Sequence, residues 1–371
     1  MRRPYRSVDK PLAILIALLV GVGSMIFVSA AFGLVARGQG GMSSVAFNHL
    51  VLGVGAGLIM LVILSHIDYR WLRPIAPYFF AIAIMATALV FIPHLGIMHG
   101  GGRRWISVFG FSMQPSEFLK LAGVIMAAAY FSTIKGKLFT IRFGLGGLFA
   151  ILAIPALLLV LQPDLGTLGV VVGGICVVFF MAGGRIRDLL LIGVVALLML
   201  ALLAVARPYV MDRVMTFFQP SLGAQAEGYQ IRQSLIAIGS GGLTGRGFGQ
   251  SVQKFTYLPE PMGDSIFAVA AEELGFAGSV VLVALFLGLA LRGFTIATRA
   301  PDLFGALLAS GISATLSTEA FINIGAMLGV IPLTGIPLTF VSQGGSAMLV
   351  ALASAGVLLS VSRAHRKSGK T

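Results

Sequence analysis

Apolar runs about 20 residues long, the length a helix needs to cross a bilayer, recur along the whole chain. They fall near 11–36, 47–67, 76–94, 116–134, 143–161, 167–183, 188–206, 265–291, 303–326 and 344–362. In lipid, a spanning segment must satisfy its own backbone hydrogen bonds, which limits it to helices or closed barrels. The runs therefore predict an all-α integral membrane protein with about ten transmembrane helices, built as one polytopic domain over residues 1–371. Composition excludes the soluble alternative. Only 11% of residues are charged and 57% are hydrophobic, whereas a soluble domain carries about a quarter charged residues. The first run is too long for a cleaved signal core and lacks a clear cleavage site, so it is read as a retained span. Cys176 is the single cysteine and lies in an apolar run, which excludes disulfides and thiolate metal clusters.

The net charge of +13 points to membrane orientation, not to nucleic acid, because basic residues collect on the cytoplasmic side of membrane helices. With ten spans, 17 of the 26 Lys and Arg residues fall on one set of faces, 8 on the other, and Lys120 lies inside a span. The first set includes both termini, which are therefore predicted to be cytoplasmic. Loops 94–115, 162–166, 206–264 and 327–343 face outward, and 206–264, between helices seven and eight, is a large extracytoplasmic loop. These outer loops hold five of the 13 acids and both members of the Arg103–Arg104 pair, so chemistry is expected on that face.

Four regions carry ionisable groups that would be costly in hydrocarbon without a partner or a wet cavity. In the first, Arg103, Arg104 and Trp105 follow Gly100–Gly102, whose bare backbone allows close approach of an anion. Trp105 with Ile106, Val108, Phe109 and Phe111 suits a segment at the membrane interface, and an anionic lipid head group is the favoured ligand of the arginines. Glu117 and Lys120, three residues apart, share a helix face and can neutralise each other. In the second, Gln162-Pro-Asp-Leu-Gly-Thr167 is a tight turn in which Asp164 is best read as a helix cap. The third is the large loop. Helical spacing from Tyr229 to Ile238 sets Ile231, Leu235 and Ile238 on one face. The glycine-rich run after it has no strand context, so a dinucleotide reading is rejected. Asp264 precedes span eight, and two readings stay open: a helix cap, whose basicity would be low, or a functional acid. The fourth region is Glu272 and Glu273 in span eight with Glu319 in span nine. Adjacent glutamates point about 100° apart on a helix and should not share a partner. Lys120 is their expected counter-ion, linking spans four and eight around an outward-facing cavity with Asp264 at its edge.

At these positions the chain resembles the SEDS family, the group of FtsW, RodA and SpoVE. The resemblance is carried by Gly102-Arg-Arg-Trp-Ile, Gln114-Pro-Ser-Glu-Phe-Leu-Lys, Gln162-Pro-Asp-Leu-Gly-Thr and Gly228-Tyr-Gln through Ser240-Gly-Gly-Leu. It continues through Leu258-Pro-Glu, Asp264 to Glu273-Leu-Gly, Phe321-Ile-Asn-Ile-Gly and Pro332-Leu-Thr-Gly-Ile-Pro-Leu to Gly344-Gly-Ser. Each motif is weak alone, whereas the ordered set over about 100–346 is specific.

The resemblance implies a peptidoglycan glycosyltransferase that polymerises lipid II at the outer face of the bacterial cytoplasmic (inner) membrane. Tyr229-Gln-Ile-Arg-Gln-Ser-Leu and Lys254 to Glu260 look closer to FtsW than to RodA, which implies septal wall synthesis in cell division in preference to elongation. The implied partners are lipid II, the growing lipid-linked glycan, a class B penicillin-binding protein, other divisome proteins and membrane lipids, with no nucleic acid. Asp264 falls at the family's essential aspartate, implying a general base. Arg103, Arg104, Trp105, Arg246, Glu260, Ser342, Gly344, Gly345 and Ser346 are the implied substrate-binding set. Glu117, Lys120, Asp164, Glu272 and Glu273 are the implied supporting set. No cofactor is certain, and a divalent cation (Mg or Mn) is an option beside the arginines. The chain departs from the family pattern at Met262-Gly263 (usually His-Thr), Thr339 (usually Pro) and Gln343 (usually Tyr). A lipid-linked precursor flippase and an inactive scaffold that activates the transpeptidase remain competing readings.

Overall fold

The computed structural model describes residues 8–36, 47–99, 102–108, 111–134, 136–218 and 226–364. Among the charges that set the orientation, Arg2, Arg3, Arg6, Arg37, Lys135, Arg366, Lys367 and Lys370 lie outside the described residues, as do Gly100 and Phe109.

Each of the ten apolar runs forms a helix. The chain opens with α1 (Lys10–Ala36) and passes through a π-helical stretch at Asn48–Gly55 into α2 (Ala56–His66), followed by α3 (Leu72–Ala88). Helices α4 (Pro115–Thr133), α5 (Leu145–Leu161), α6 (Leu165–Met181) and α7 (Ile186–Ala206) come next. The large loop folds into three further helices, α8 (Pro208–Phe218), α9 (Ala226–Ser240) and α10 (Gln253–Thr256). The chain then completes α11 (Ile266–Thr298), α12 (Leu303–Met327) and α13 (Gly345–Arg363). Seven helices among the described residues are long and apolar enough to cross a membrane. The 17-residue α5 and α6 are apolar but shorter, and α4 carries Glu117 and Lys120.

Polarity in this bundle runs inside out. Helix α7 is the most apolar of the seven, and none of its most apolar stretch is buried in protein. Helix α12 is the least apolar, yet 78% of its stretch is buried, and the figure for α13 is 83%. Lipid accepts the leucine-rich α7 without penalty. The Ser310, Ser313, Thr315, Ser317, Glu319 and Asn323 side chains of α12 are costly in lipid and so turn inward.

Two features depart from the all-α expectation. Residues Gly96–His99 (β1), Gly102–Val108 (β2) and Phe111–Met113 (β3) form a small antiparallel sheet in the order β1-β2-β3. Ile97 pairs with Trp105, and Ile106 pairs with Met113. Alternation from Arg103 to Ile106, with Arg103 exposed and Ile106 buried, is the period-2 signal that a helical reading passes over. The second departure is α11, whose 33 residues would reach about 50 Å, more than a bilayer core. It breaks at Gly275 (φ 68°, ψ −169°). The part after the break, about 34 Å of helix, is long enough to span alone, which makes residues 266–274 a separate short helix.

The glycine-rich run closes this break. Arg246 and Gly247 donate their backbone N–H groups to the carbonyls of Glu272 and Glu273 (both 3.0 Å). In return, Phe276 N and Ala277 N donate to Gly242 O (2.9 Å) and Leu243 O (3.1 Å). The backbone groups freed at the interruption are thus paired within the protein. The approach requires glycine on both sides. A Cβ on Gly245 (φ +82°) would sit 2.1 Å from Glu273 O, and one on Gly275 would sit 2.2 Å from Gly245 N.

Candidate active site

Asp264 stands where the large loop enters the short first part of α11. It does not cap that helix. The cap position is Ser265, and no side chain there bonds the helix N–H groups. Instead, Asp264 Oδ1 accepts from Gln230 Nε2 of α9 at 2.9 Å, and Ser265 Oγ lies 3.5 Å away. Of the two readings open in the sequence, the cap is therefore ruled out.

The main chain under this carboxylate is clamped at three consecutive carbonyls. Gln343 N donates to Met262 O (2.7 Å), Ser342 Oγ to Gly263 O (2.7 Å) and Asn323 Nδ2 to Asp264 O (2.7 Å). Asn323 also donates to Ile336 O (2.8 Å), joining α12 to the 328–344 connection. Two of the unusual positions, Met262 and Gln343, thus meet directly through the backbone. Burial pushes the Asp264 carboxyl up to about 6. The hydrogen bond from Gln230 opposes that rise, and the charge of Glu260 adds to it. Glu260 is exposed, in a left-handed conformation (φ 44°), and a Cβ built on Gly263 would lie 3.3 Å from its carboxylate.

The arginine pair divides its work. Arg104 Nε donates to Gln162 O at 3.3 Å, and a terminal nitrogen donates to Pro163 O. Arg103 is exposed and Trp105 is half-buried. The Gln162–Pro163 turn leads into Asp164, which caps α6 as expected by accepting from Thr167 N at 3.1 Å. Asp164 also accepts from Gln114 Nε2 (3.3 Å). Gln114 in turn donates its backbone N–H to Ser346 Oγ (3.1 Å), so α4, α6 and α13 share one polar node beside Gly344 and Gly345. A Cβ on Gly166 would meet Thr334 O at 2.9 Å and Ile336 at 2.8 Å. The turn that Arg104 holds and the main chain beside Asp264 therefore border the same connection. Arg246 does not join them. It lies 3.4 Å from Glu272, at the other end of a short helix about 12 Å long.

The carboxylate partners differ from those read in the sequence. Lys120 does not serve Glu272 or Glu273. It lies 2.8 Å from Glu117 and 2.6 Å from Glu319, so it links span four to span nine. The cavity beside it lies between α4, α12 and α13, lined by Glu117, Lys120, Thr315, Glu319 and Ser354, with no contribution from α11. A second cavity under the connection adjoins Glu319, Thr339 and Ser342. Glu273 instead takes Lys254 Nζ (2.6 Å) and Ser29 Oγ of α1 (2.7 Å). Glu272 accepts from Ser251 Oγ (2.6 Å) and the N–H groups of Val252 (3.0 Å) and Gln253 (3.3 Å). As expected, the two glutamates use different cations.

On α9 the buried face is Ile231, Ser234 and Ala237. Leu235, expected beside Ile231, is 43% exposed. Gln230 and Asn323 were not singled out in the sequence, although both lie inside quoted motifs. For Asn323 the available signal was a carboxamide within an apolar span, which must find partners there. Among the described residues, no group of three or more His, Cys, Asp or Glu could hold a metal ion.

Comparison with known proteins places this arrangement. The family model described as "Cell cycle protein", FTSW_RODA_SPOVE, matches residues 10–367. Stage V sporulation protein E of Bacillus subtilis is 39% identical over 360 residues, covering 97% of this chain and 98% of that protein. A probable peptidoglycan glycosyltransferase FtsW of Nitrosomonas europaea is 35% identical over 372 residues, covering 97% and 94%. A chain from a solved peptidoglycan synthase complex that coordinates polymerization and crosslinking superposes with a TM-score of 0.78 at 28% identity. It covers 97% of this chain and 98% of its own length. With these helices and these motifs in one order, the chain is a multi-pass membrane protein that belongs to the FtsW/RodA/SpoVE family.

Proposed function

We propose that the chain is a peptidoglycan glycosyltransferase that polymerises lipid II at the outer face of the bacterial inner membrane, with Asp264 as general base. The observation that carries this reading is the state of Asp264. Its carboxylate is not spent on a helix cap, its main chain is held at three carbonyls, and its basicity is raised toward neutrality. A base works best when its pKa lies near the operating pH.

The acceptor sugar's 4-hydroxyl gives its proton to Asp264 as its oxygen forms a bond to the donor's C1. The C1–O bond to pyrophosphate breaks at the same centre, and undecaprenyl pyrophosphate leaves with the electron pair. The displacement inverts C1 and needs one base. In this reading Arg103, exposed beside Trp105, meets the departing negative charge, while Arg104 holds the Gln162–Pro163 turn. Both termini are cytoplasmic in this reading, and a class B penicillin-binding protein cross-links the product. The Tyr229–Leu235 and Lys254–Glu260 stretches favour septal synthesis over elongation.

The broken α11 gives the flippase alternative its one specific support, because interrupted helices mark transport paths. Here, however, the break is filled by the paired glycine-rich run and lines neither cavity. The test uses the full chain with its penicillin-binding partner and labelled lipid II. Wild type should form glycan chains, and Asp264→Asn should lose at least about 100-fold in rate. Wild-type rate in Asp264→Asn would remove the base assignment, and translocation without polymer would favour the flippase. A base must be deprotonated, so the wild-type rate should fall as pH drops through about 6.

A further inference from the structure

The carboxylate and the main chain of Asp264 are held by different parts of the molecule. Asn323 of α12 and Ser342 and Gln343 of the connection fix the carbonyls of residues 262–264. Among the described residues, the side chains that reach the carboxylate are Gln230 and Ser265, both at Oδ1. Gln230 Nε2 is 2.9 Å from Asp264 Oδ1 and 2.9 Å from Ser265 Oγ. Its two amide hydrogens are thereby matched by two acceptors. A carboxylate oxygen accepts, so the amide nitrogen, not its oxygen, must face Asp264. The helix carrying Gln230 is seated by Ile231, Ser234 and Ala237, with Ser234 Oγ 3.5 Å from Met327 Sδ of α12. Gln230 thus projects from a docked helix of the large loop onto a carboxylate whose backbone is anchored elsewhere.

We propose that Gln230 is a positioning residue for the transfer reaction: by holding Oδ1 it sets the carboxylate plane and turns Oδ2 toward the acceptor hydroxyl. This rests on Asp264 being the base. Removing the amide leaves the clamped backbone in place and frees only the carboxylate rotor. It also removes a bond that favours the charged form, so the base should protonate at a higher pH. The charge of Glu260 reaches Asp264 and favours its protonated form. The neighbouring α9, α12 and connection present Gln230, Asn323 and Ser342, none of which titrates.

The experiment measures initial rates of labelled lipid II polymerisation against pH. It uses the full chain with its penicillin-binding partner, as wild type, Gln230→Met, Gln230→Glu and Asp264→Asn. Gln230→Met keeps the side-chain length and should lose about 10- to 100-fold in turnover, the worth of a hydrogen bond to a charged group. Its acidic limb should move to higher pH with KM little changed. Gln230→Glu sets a second carboxylate beside the first and should move that limb further. Should Gln230→Met reduce the folded yield, Gln230→Glu carries the test alone. Wild-type turnover and an unmoved limb in the Gln230 variants, with Asp264→Asn inactive, would overturn this inference and leave the base standing. A rate loss with an unmoved limb and a lowered melting temperature would also overturn it, as a purely structural role. Full activity in Asp264→Asn would instead remove the base assignment itself.

Discussion

Lys120 and Lys254 are both buried beside glutamates, but the two clusters are assembled differently. Lys120 sits on α4 with Glu117 three residues before it, and α12 adds Glu319, so two carboxylates crowd one ammonium. Lys254 comes from the large loop and meets Glu273 and Ser29, while the adjacent Glu272 has Arg246 and two backbone N–H groups. There, two carboxylates face two cations. The first cluster has more carboxyl groups than cations and lies beside a cavity, whereas the second has equal numbers and closes around the α11 break. A buried pair is costly to break from either side, because the remaining charge is left without compensation. Which substitution does most damage therefore depends on the count of charges.

The largest effect is expected for Lys120→Met, which strands two carboxylates. Its cost should reach at least about 3–5 kcal/mol, the range for breaking one buried pair. Thermal unfolding of the detergent-purified chain checks this, and a melting temperature near wild type would break the comparison. Lys254→Met should cost somewhat less, about 3 kcal/mol, since Glu272 keeps its own donors. The double variant Lys254→Met with Glu273→Gln should recover most of that loss, and failure to recover would mean that Lys254 acts through packing. The smallest effects separate the clusters most sharply. Glu117→Gln leaves a matched Lys120–Glu319 pair and should stay within about 1 kcal/mol of wild type, whereas Glu273→Gln strands Lys254 and should cost about 2–3 kcal/mol. Equal losses from the two would show that charge count does not distinguish them.

The contrast also marks the limit of local pattern. Glu117 and Lys120 are three residues apart on one helix, so their pairing could be read directly from spacing. Lys254 and Glu273 belong to segments that spacing treats as loop and span, and Lys254 was counted as an outer-face charge. Only the break at Gly275 and the return of the glycine-rich run bring them together. Glu319 was visible as a costly residue in a span, but its partner was not. Lys120 was assigned to Glu272 and Glu273, because nothing local says that α4 packs on α12.

Hydrophobic period and length were sufficient for a helix at each of the ten apolar runs, because each membrane-length helix satisfies its own backbone irrespective of its neighbours. The ordered motifs were sufficient for the family, and the turn at Gln162–Thr167 for the cap at Asp164. The break in α11 rests on pairings between distant segments. So does the clamp on residues 262–264, whose donors come from residues 323, 342 and 343. Asp264 could be located in the sequence, but whether it capped a helix or kept its carboxylate for chemistry depended on where Gln230 and Asn323 lay in three dimensions. A carboxylate's role is set by the donors that reach it, and here those donors arrive from other elements of the fold.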